Sequence, residues 1–217
     1  MSEELIKRII SSIILIPVSL FFIIKGSVLF NLFIILVFLI SSYEWYRMSK
    51  NKSYLIFGFL FLLVSFYTIY KVRNVDDNFY YFLSILLICI STDIGGYIFG
   101  KWFGGPKLTK ISPKKTYAGM LGGYLLSLLA LSLFYNSSYL FTETIKIGPK
   151  ILIFILLIST SSQLGDIIIS YFKRLSNIKD TGKIIPGHGG LLDRVDGMIF
   201  AFPFSYILFK INIINFI

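Results

Sequence analysis

Ser170 to Asp196 reads SYFKRLSNIKDTGKIIPGHGGLLDRVD, the most polar long run in an otherwise apolar chain. Four cations, Lys173, Arg174, Lys179 and Lys183, precede the turn-forming Pro186-Gly187-His188-Gly189-Gly190. Asp193-Arg194-Val195-Asp196 then opens the last apolar segment, and its two carboxylates share one face if that segment is helical. Cations and carboxylates kept this close together are parts that handle phosphate.

Outward from this run the chain is greasy. It is 56% hydrophobic and 15% charged with a mean hydropathy of +0.79, which excludes an ordinary soluble domain. Seven apolar segments are long enough, or nearly so, to span a bilayer: 8–25, 27–46, 53–71, 79–100, 117–140, 148–172 and 191–217. Phe, Ile and Leu dominate them without period-2 alternation, so they are helices and not barrel strands. The expected fold is an all-α polytopic membrane bundle of about seven helices. No polar stretch is long enough for a separate globular unit. Residues 1–217 therefore form one membrane-embedded domain, with N-terminal helices in 1–78 and the functional helices and loops in 79–217. Cys89 is the single cysteine, so no intrachain disulfide forms. Lys7-Arg8 precede the first apolar run and no small-residue cleavage site follows, which reads as a retained helix.

The net charge of +10 sits in short loops between apolar segments, a pattern that fits anionic headgroups and the positive-inside rule better than nucleic acid. With the N-terminus in the cytoplasm, the inside set holds Lys7 and Arg8, Arg47, Lys50 and Lys52, the 101–116 loop, and the opening run with Arg194. Only Lys25, Lys71, Arg73, Lys146, Lys150 and Lys210 fall outside. That places loops 101–116 and 173–190 on the cytoplasmic face of the cytoplasmic membrane and the C-terminus opposite. Asp93 and Asp166 then lie roughly 10–12 Å below that surface, at ~1.5 Å of rise per residue.

Each polar feature has a bland reading beside a functional one. Asp166 ends the polar patch Ser161-Ser162-Gln163-Leu164-Gly165-Asp166 within an apolar span. An ionised group there costs at least ~2.5 kcal/mol to insert, so it needs a partner or water. It is either a helix-packing hydrogen-bonder or a functional ligand. Asp93, in Ser91-Thr92-Asp93-Ile94-Gly95-Gly96-Tyr97, faces the same choice, since small residues are also what membrane helix contacts use. In the 101–118 stretch KWFGGPKLTKISPKKTYA, turn signals at Gly104-Gly105-Pro106 and Ser112-Pro113 forbid a continuous helix. Lys107, Lys110, Ser112, Lys114, Lys115 and Thr116 there suit a triphosphate, although lysine-rich inside loops are ordinary. His188, the only histidine, suits a backbone-shaping or phosphate-donor role better than metal ligation. Glu44-Trp45 ends the second span, and an interfacial aromatic belt accounts for Trp45.

Ser170, Lys173-Arg174, Lys179-Asp180, Gly182, Pro186, His188-Gly189-Gly190, Asp193-Arg194 and Asp196 together resemble the signature of the phosphatidate cytidylyltransferases, also called CDP-diacylglycerol synthases. The resemblance implies CTP and phosphatidic acid as substrates and a membrane lipid as product. It implies Asp166 and Asp193 as a metal-binding pair, with Asp93 a less certain third, and Mg²⁺ as the ion that such oxygen ligands take. Lys173, Arg174, Asp180, Arg194 and Asp196 are expected at the reacting phosphates. Lys179, His188, Gly189, Gly190 and the 107–116 cations are expected to bind substrate. The family usually carries Glu where this chain has Ala118, so no acid role is assigned to that loop. Family members are often longer, with eight or nine helices, and a homodimer stays open. The competing reading is a secondary transporter of a small anion, which also uses intramembrane carboxylates. It has no use for Asp-Arg-x-Asp beside a cationic surface loop.

Overall fold

The computed structural model describes residues 3–74, 79–136, 148–187 and 189–211. Helix is the only extended secondary structure among them. It forms α1 (Glu3–Lys25), α2 (Ser27–Ser49), α3 (Leu55–Asn74), α4 (Phe79–Phe103), α5 (Tyr117–Tyr135), α6 (Pro149–Leu175), the single turn α7 (Leu192–Val195) and α8 (Met198–Lys210). Helices α2 to α6 are each long and apolar enough to cross a membrane, and Ile10–Lys25 adds a shorter apolar stretch. Large apolar side chains such as Phe57, Leu63 and Leu133 point outward. Small and polar groups such as Ser41, Ser84, Ser127 and Ser159 are fully enclosed. Packing of this kind fits a bundle whose outer solvent is lipid.

The seventh apolar segment departs from the expected single helix. It breaks at Asp196-Gly197 into α7 and α8, and α8 carries Pro203, which removes one backbone donor. The break lies where α6 crosses this segment. A Cβ on Gly165 would meet the carbonyl of Asp196 and the Phe200 ring, and one on Gly197 would meet the Ser162 hydroxyl. Glycine on both sides lets the two backbones touch, which carries Asp196 to the level of Asp166.

A second glycine contact joins α4 to α5. A Cβ on Gly95 would run into the backbone of Gly122 and Gly123, and one on Gly119 into the carbonyl of Gly96. Interhelical hydrogen bonds continue the seam, from the Thr92 hydroxyl to Ser159 Oγ (2.8 Å) and between Tyr124 and Thr160 (2.8 Å). Close glycine contacts and hydroxyl hydrogen bonds thus tie α4, α5 and α6 to one another.

Trp45 corrects the aromatic-belt expectation. It is 3% exposed, donates from Nε1 to the carbonyl of Leu55 (3.0 Å) and packs on Tyr54 and Phe172. Its indole fills the space above Gly58, tying the end of α2 to the start of α3 and the last turn of α6. Buried Trp needs a partner for its N–H, and the Leu55 carbonyl in the first turn of α3 accepts it beside its place in the helix.

Candidate active site

Helix α6 ends in a Schellman motif. Ile178 N–H donates to Lys173 O and Asn177 N–H to Arg174 O, with Asn177 at φ +56°. The Arg174 guanidinium donates to the Ile178 carbonyl (2.9 Å), so this expected phosphate contact also stitches the loop it opens. The chain is thereby turned back toward the bundle, and Lys173 is left pointing inward.

Lys173 meets Asp193 there. Its ammonium donates to Oδ1 at 2.7 Å, and both side chains are nearly enclosed. The other oxygen, Oδ2, accepts from Thr181 N–H (2.8 Å) and Gly190 N–H (3.0 Å), and lies 3.0 Å from Thr181 Oγ1, whose one proton is shared with Glu44. Asp193 therefore closes the loop 181–190 onto α7, and Ile185 and Gly189 pair within it as a bridge. Gly187 and Gly189 sit at φ +76° and +87°, conformations that L side chains rarely adopt, which explains glycine on both sides of the turn. His188 lies outside the described residues. Asp180, Lys179 and Lys183 are exposed around the rim, with Asp180 beside Gly189.

The 101–116 loop folds onto the same end. Leu108 N–H donates to Lys115 O (2.8 Å), Lys115 N–H to Ser112 O (3.0 Å) and Ser112 N–H to Thr109 Oγ1 (3.1 Å). Thr116 caps α5 by accepting from Gly119 N–H (3.0 Å), a role its place in the motif did not announce. Lys107, Lys110 and Lys114 stay exposed. Lys115 does not: its ammonium crosses to α6, where it donates to the Gln163 carbonyl (3.3 Å) and pairs with Asp166. Ser170 Oγ approaches the other Asp166 oxygen at 3.3 Å.

Asp93, Asp166 and Asp196 lie close enough for their charges to interact with one another and with Lys115. Asp93 also feels Arg194, and Asp196 feels Lys173. The fold thus brings together Asp93 from α4, Asp166 from α6 and Asp196 from the α7–α8 break. Arg194 is exposed at their edge.

Among the described residues no three His, Cys, Asp or Glu side chains form a ready cage for a metal. A small hard cation does not require one, since it binds through one or two carboxylates and completes its shell with water and substrate phosphate. The donor chemistry fits such an ion: three interacting carboxylates and one contacting ammonium leave an excess of negative oxygen. Asp166 and Asp93 have oxygens to offer. Asp193 could add only Oδ1, beside the Lys173 ammonium it already holds, because Oδ2 accepts the Thr181 and Gly190 amides.

Glu44-Trp45, in sequence only a loose likeness to the family, holds one further contact. Glu44, 1% exposed at the end of α2, accepts from Leu191 N–H (3.0 Å), Leu192 N–H (2.8 Å) and Thr181 Oγ1 (3.0 Å). A carboxylate inside an apolar span was itself the signal, by the same cost argument that singled out Asp166.

A sequence model of the Cytidylyltransferase family matches residues 52–212. The chain is 39% identical to a protein of Rickettsia bellii named phosphatidate cytidylyltransferase, over 97% of this chain and 91% of that one. It is 36% identical to the protein of that name from Rickettsia typhi, over 97% and 93% respectively. A Staphylococcus aureus protein of the same name is 36% identical over 79% of this chain and 65% of its own length.

Proposed function

The chain belongs to the Cytidylyltransferase family, and from that premise we propose that it is a phosphatidate cytidylyltransferase, converting CTP and phosphatidic acid to CDP-diacylglycerol and pyrophosphate. One observation carries the reading. The family match spans 52–212, and that segment contains Asp93, Lys115, Asp166, Lys173, Asp193, Arg194 and Asp196, the groups the fold collects at one end of the bundle. The anion-transporter alternative gains no support from these relatives.

In the reaction an oxygen of the lipid phosphate forms a bond to the α-phosphorus of CTP, and the bond from that phosphorus to the bridging oxygen of pyrophosphate breaks. A phosphate monoester has a second pKa near ~6, so the nucleophile is already a dianion at neutral pH. No general base is needed. The obstacle is electrostatic, since two anions must meet and a third must leave. Mg²⁺ held by Asp166, with Asp93 beside it and Asp193 through Oδ1, would supply charge neutralisation at the phosphates. Arg194, exposed and one residue from Asp193, offers a two-pronged donor to a phosphate. Lys115 and Lys173 fix the carboxylates against which substrate is placed. Lys107, Lys110 and Lys114 gather nucleotide from the side on which the lipid headgroup also lies. That side is the cytoplasm, and the membrane is the cytoplasmic one.

The test is direct. Purified protein in mixed micelles with phosphatidic acid and CTP labelled at the α-phosphate should form labelled lipid and release pyrophosphate in equal amounts. Both products should require divalent metal. Failure to form labelled lipid, with the protein folded and Mg²⁺ present, would overturn the proposal.

A further inference from the structure

We propose that Glu44 is a positioning residue for cytidylyl transfer, resting on the function proposed above: from α2 it holds the 181–192 loop so that Lys173, Asp193 and Arg194 stay registered against Asp166. Its position lies outside the matched family segment of 52–212, and the assignment is argued from its contacts.

Glu44 is buried, and a buried carboxylate must have its oxygens hydrogen-bonded. Its donors among the described residues all come from one loop, more than 130 positions away in sequence. Oε1 takes the amide of Leu191, and Oε2 takes the amide of Leu192 and shares the one Thr181 hydroxyl proton with Asp193. The loop is shaped around it. A Cβ on Gly182 or on Gly190 would run into the Glu44 carboxylate, so both positions are kept bare to admit it.

The connection to the reacting end is short. Thr181 Oγ1 lies 3.0 Å from Glu44 Oε2 and 3.0 Å from Asp193 Oδ2. The same Asp193 oxygen receives the Thr181 and Gly190 amides, and its partner oxygen receives Lys173. One hydroxyl therefore separates Glu44 from the Lys173–Asp193 pair. The two anchored amides, Leu191 and Leu192, stand directly before Asp193 and Arg194. Helix α1 adds a weaker brace, since Ser11 Oγ donates to the Pro186 carbonyl (3.1 Å) at the far side of the turn. The N-terminal helices thus frame the loop from outside, and Glu44 is where they grip it.

The test compares Glu44→Gln and Glu44→Asp with the unaltered protein in nanodiscs. A glutamine presents an NH₂ to donors that need an acceptor, while keeping volume. Glu44→Gln should lower kcat about 10-fold or more while KM for CTP shifts less than about threefold, because the exposed lysines that gather nucleotide are untouched. Amide exchange in peptides covering 181–193 should accelerate about 10-fold or more, with α4 and α5 unchanged. Glu44→Asp should fall between the two in both readouts. Wild-type exchange in 181–193 for Glu44→Gln would overturn the proposal, as would acceleration spread evenly over α3 to α6. If the unaltered protein forms no CDP-lipid, the functional reading fails. The exchange arm then still decides whether Glu44 holds the loop.

Discussion

At the scale of single residues, two lysine–carboxylate pairs carry different energies. Lys173 and Asp193 are 10% and 7% exposed, whereas Lys115 and Asp166 are 24% and 29% exposed. Removing one partner of an enclosed pair strands a charge and costs about 3–5 kcal/mol. A half-exposed pair is worth about 1 kcal/mol or less. Lys173→Met should therefore lower the melting temperature in detergent markedly, and Lys115→Met should lower it less while reducing activity. Equal thermal losses would contradict the ranking. Arg194→Lys tests the phosphate contact separately: it keeps charge but loses the planar fork, so kcat should stay well below wild type. The spacing of residues made the cationic loops and Asp93, Asp166, Asp193 and Asp196 legible, because charge inside an apolar chain always demands a reason. It did not reveal side-chain direction. Lys115 stands in sequence beside Lys114, yet Lys114 is exposed and Lys115 crosses to α6. Tether length bounds where an ammonium can go and leaves open which carboxylate it chooses.

At the scale of elements, helix spans were read well from apolar runs and their basic ends, while crossings were not. Where α6 meets the seventh segment, the decisive fact is that Gly165 abuts Asp196 and Phe200 while Gly197 abuts Ser162, which needs both partners in view. The one-turn helix α7 and the break after it follow from that crossing and from the Asp193 hydrogen bonds, neither of which hydropathy encodes. The α4–α5 seam offers a sharp check, since Gly95 and Gly96 are neighbours with opposite surroundings. A Cβ on Gly95 would collide with the backbone of Gly122 and Gly123, whereas one on Gly96 finds its nearest neighbour, the Gly119 carbonyl, at 3.8 Å. Gly96→Ala should be neutral or stabilise by about 0.5–1 kcal/mol, from lower chain entropy in the unfolded state. Gly95→Ala must push α5 away and should cost about 1–3 kcal/mol. It should also impair turnover, because Asp93 and the Lys115 loop ride on the two helices being parted. Thermal unfolding followed by tryptophan fluorescence, with product formation in parallel, measures both. A Gly95→Ala protein as stable as Gly96→Ala would mean that the two helices are not in backbone contact.

At the scale of the whole molecule, the question is which way the bundle faces. The loops 101–116 and 176–191, the end of α2 and the Ser11 level of α1 all meet at one end, as Glu44, Ser11 and Lys115 show by their contacts. Lys71, Arg73 and Asn74 lie at the opposite end of α3, where Arg73 donates to the Ile23 carbonyl and stacks over Phe79. The first end holds most of the Lys and Arg residues, and short loops rich in them stay in the cytoplasm. CTP is a charged cytoplasmic nucleotide, so the proposed reaction and the charge bias point to the same orientation, with this end in the cytoplasm as the proposal has it. A cysteine scan reads it out with little background, because the one native cysteine, Cys89, is 1% exposed. Lys110→Cys and Asn74→Cys each place a thiol on an exposed position at one of the two ends. In intact spheroplasts a membrane-impermeant maleimide should label Asn74→Cys at once and Lys110→Cys only after permeabilisation. The reverse pattern would put the phosphate-handling end outside the cell, away from CTP, and the proposed reaction would lose its nucleotide supply.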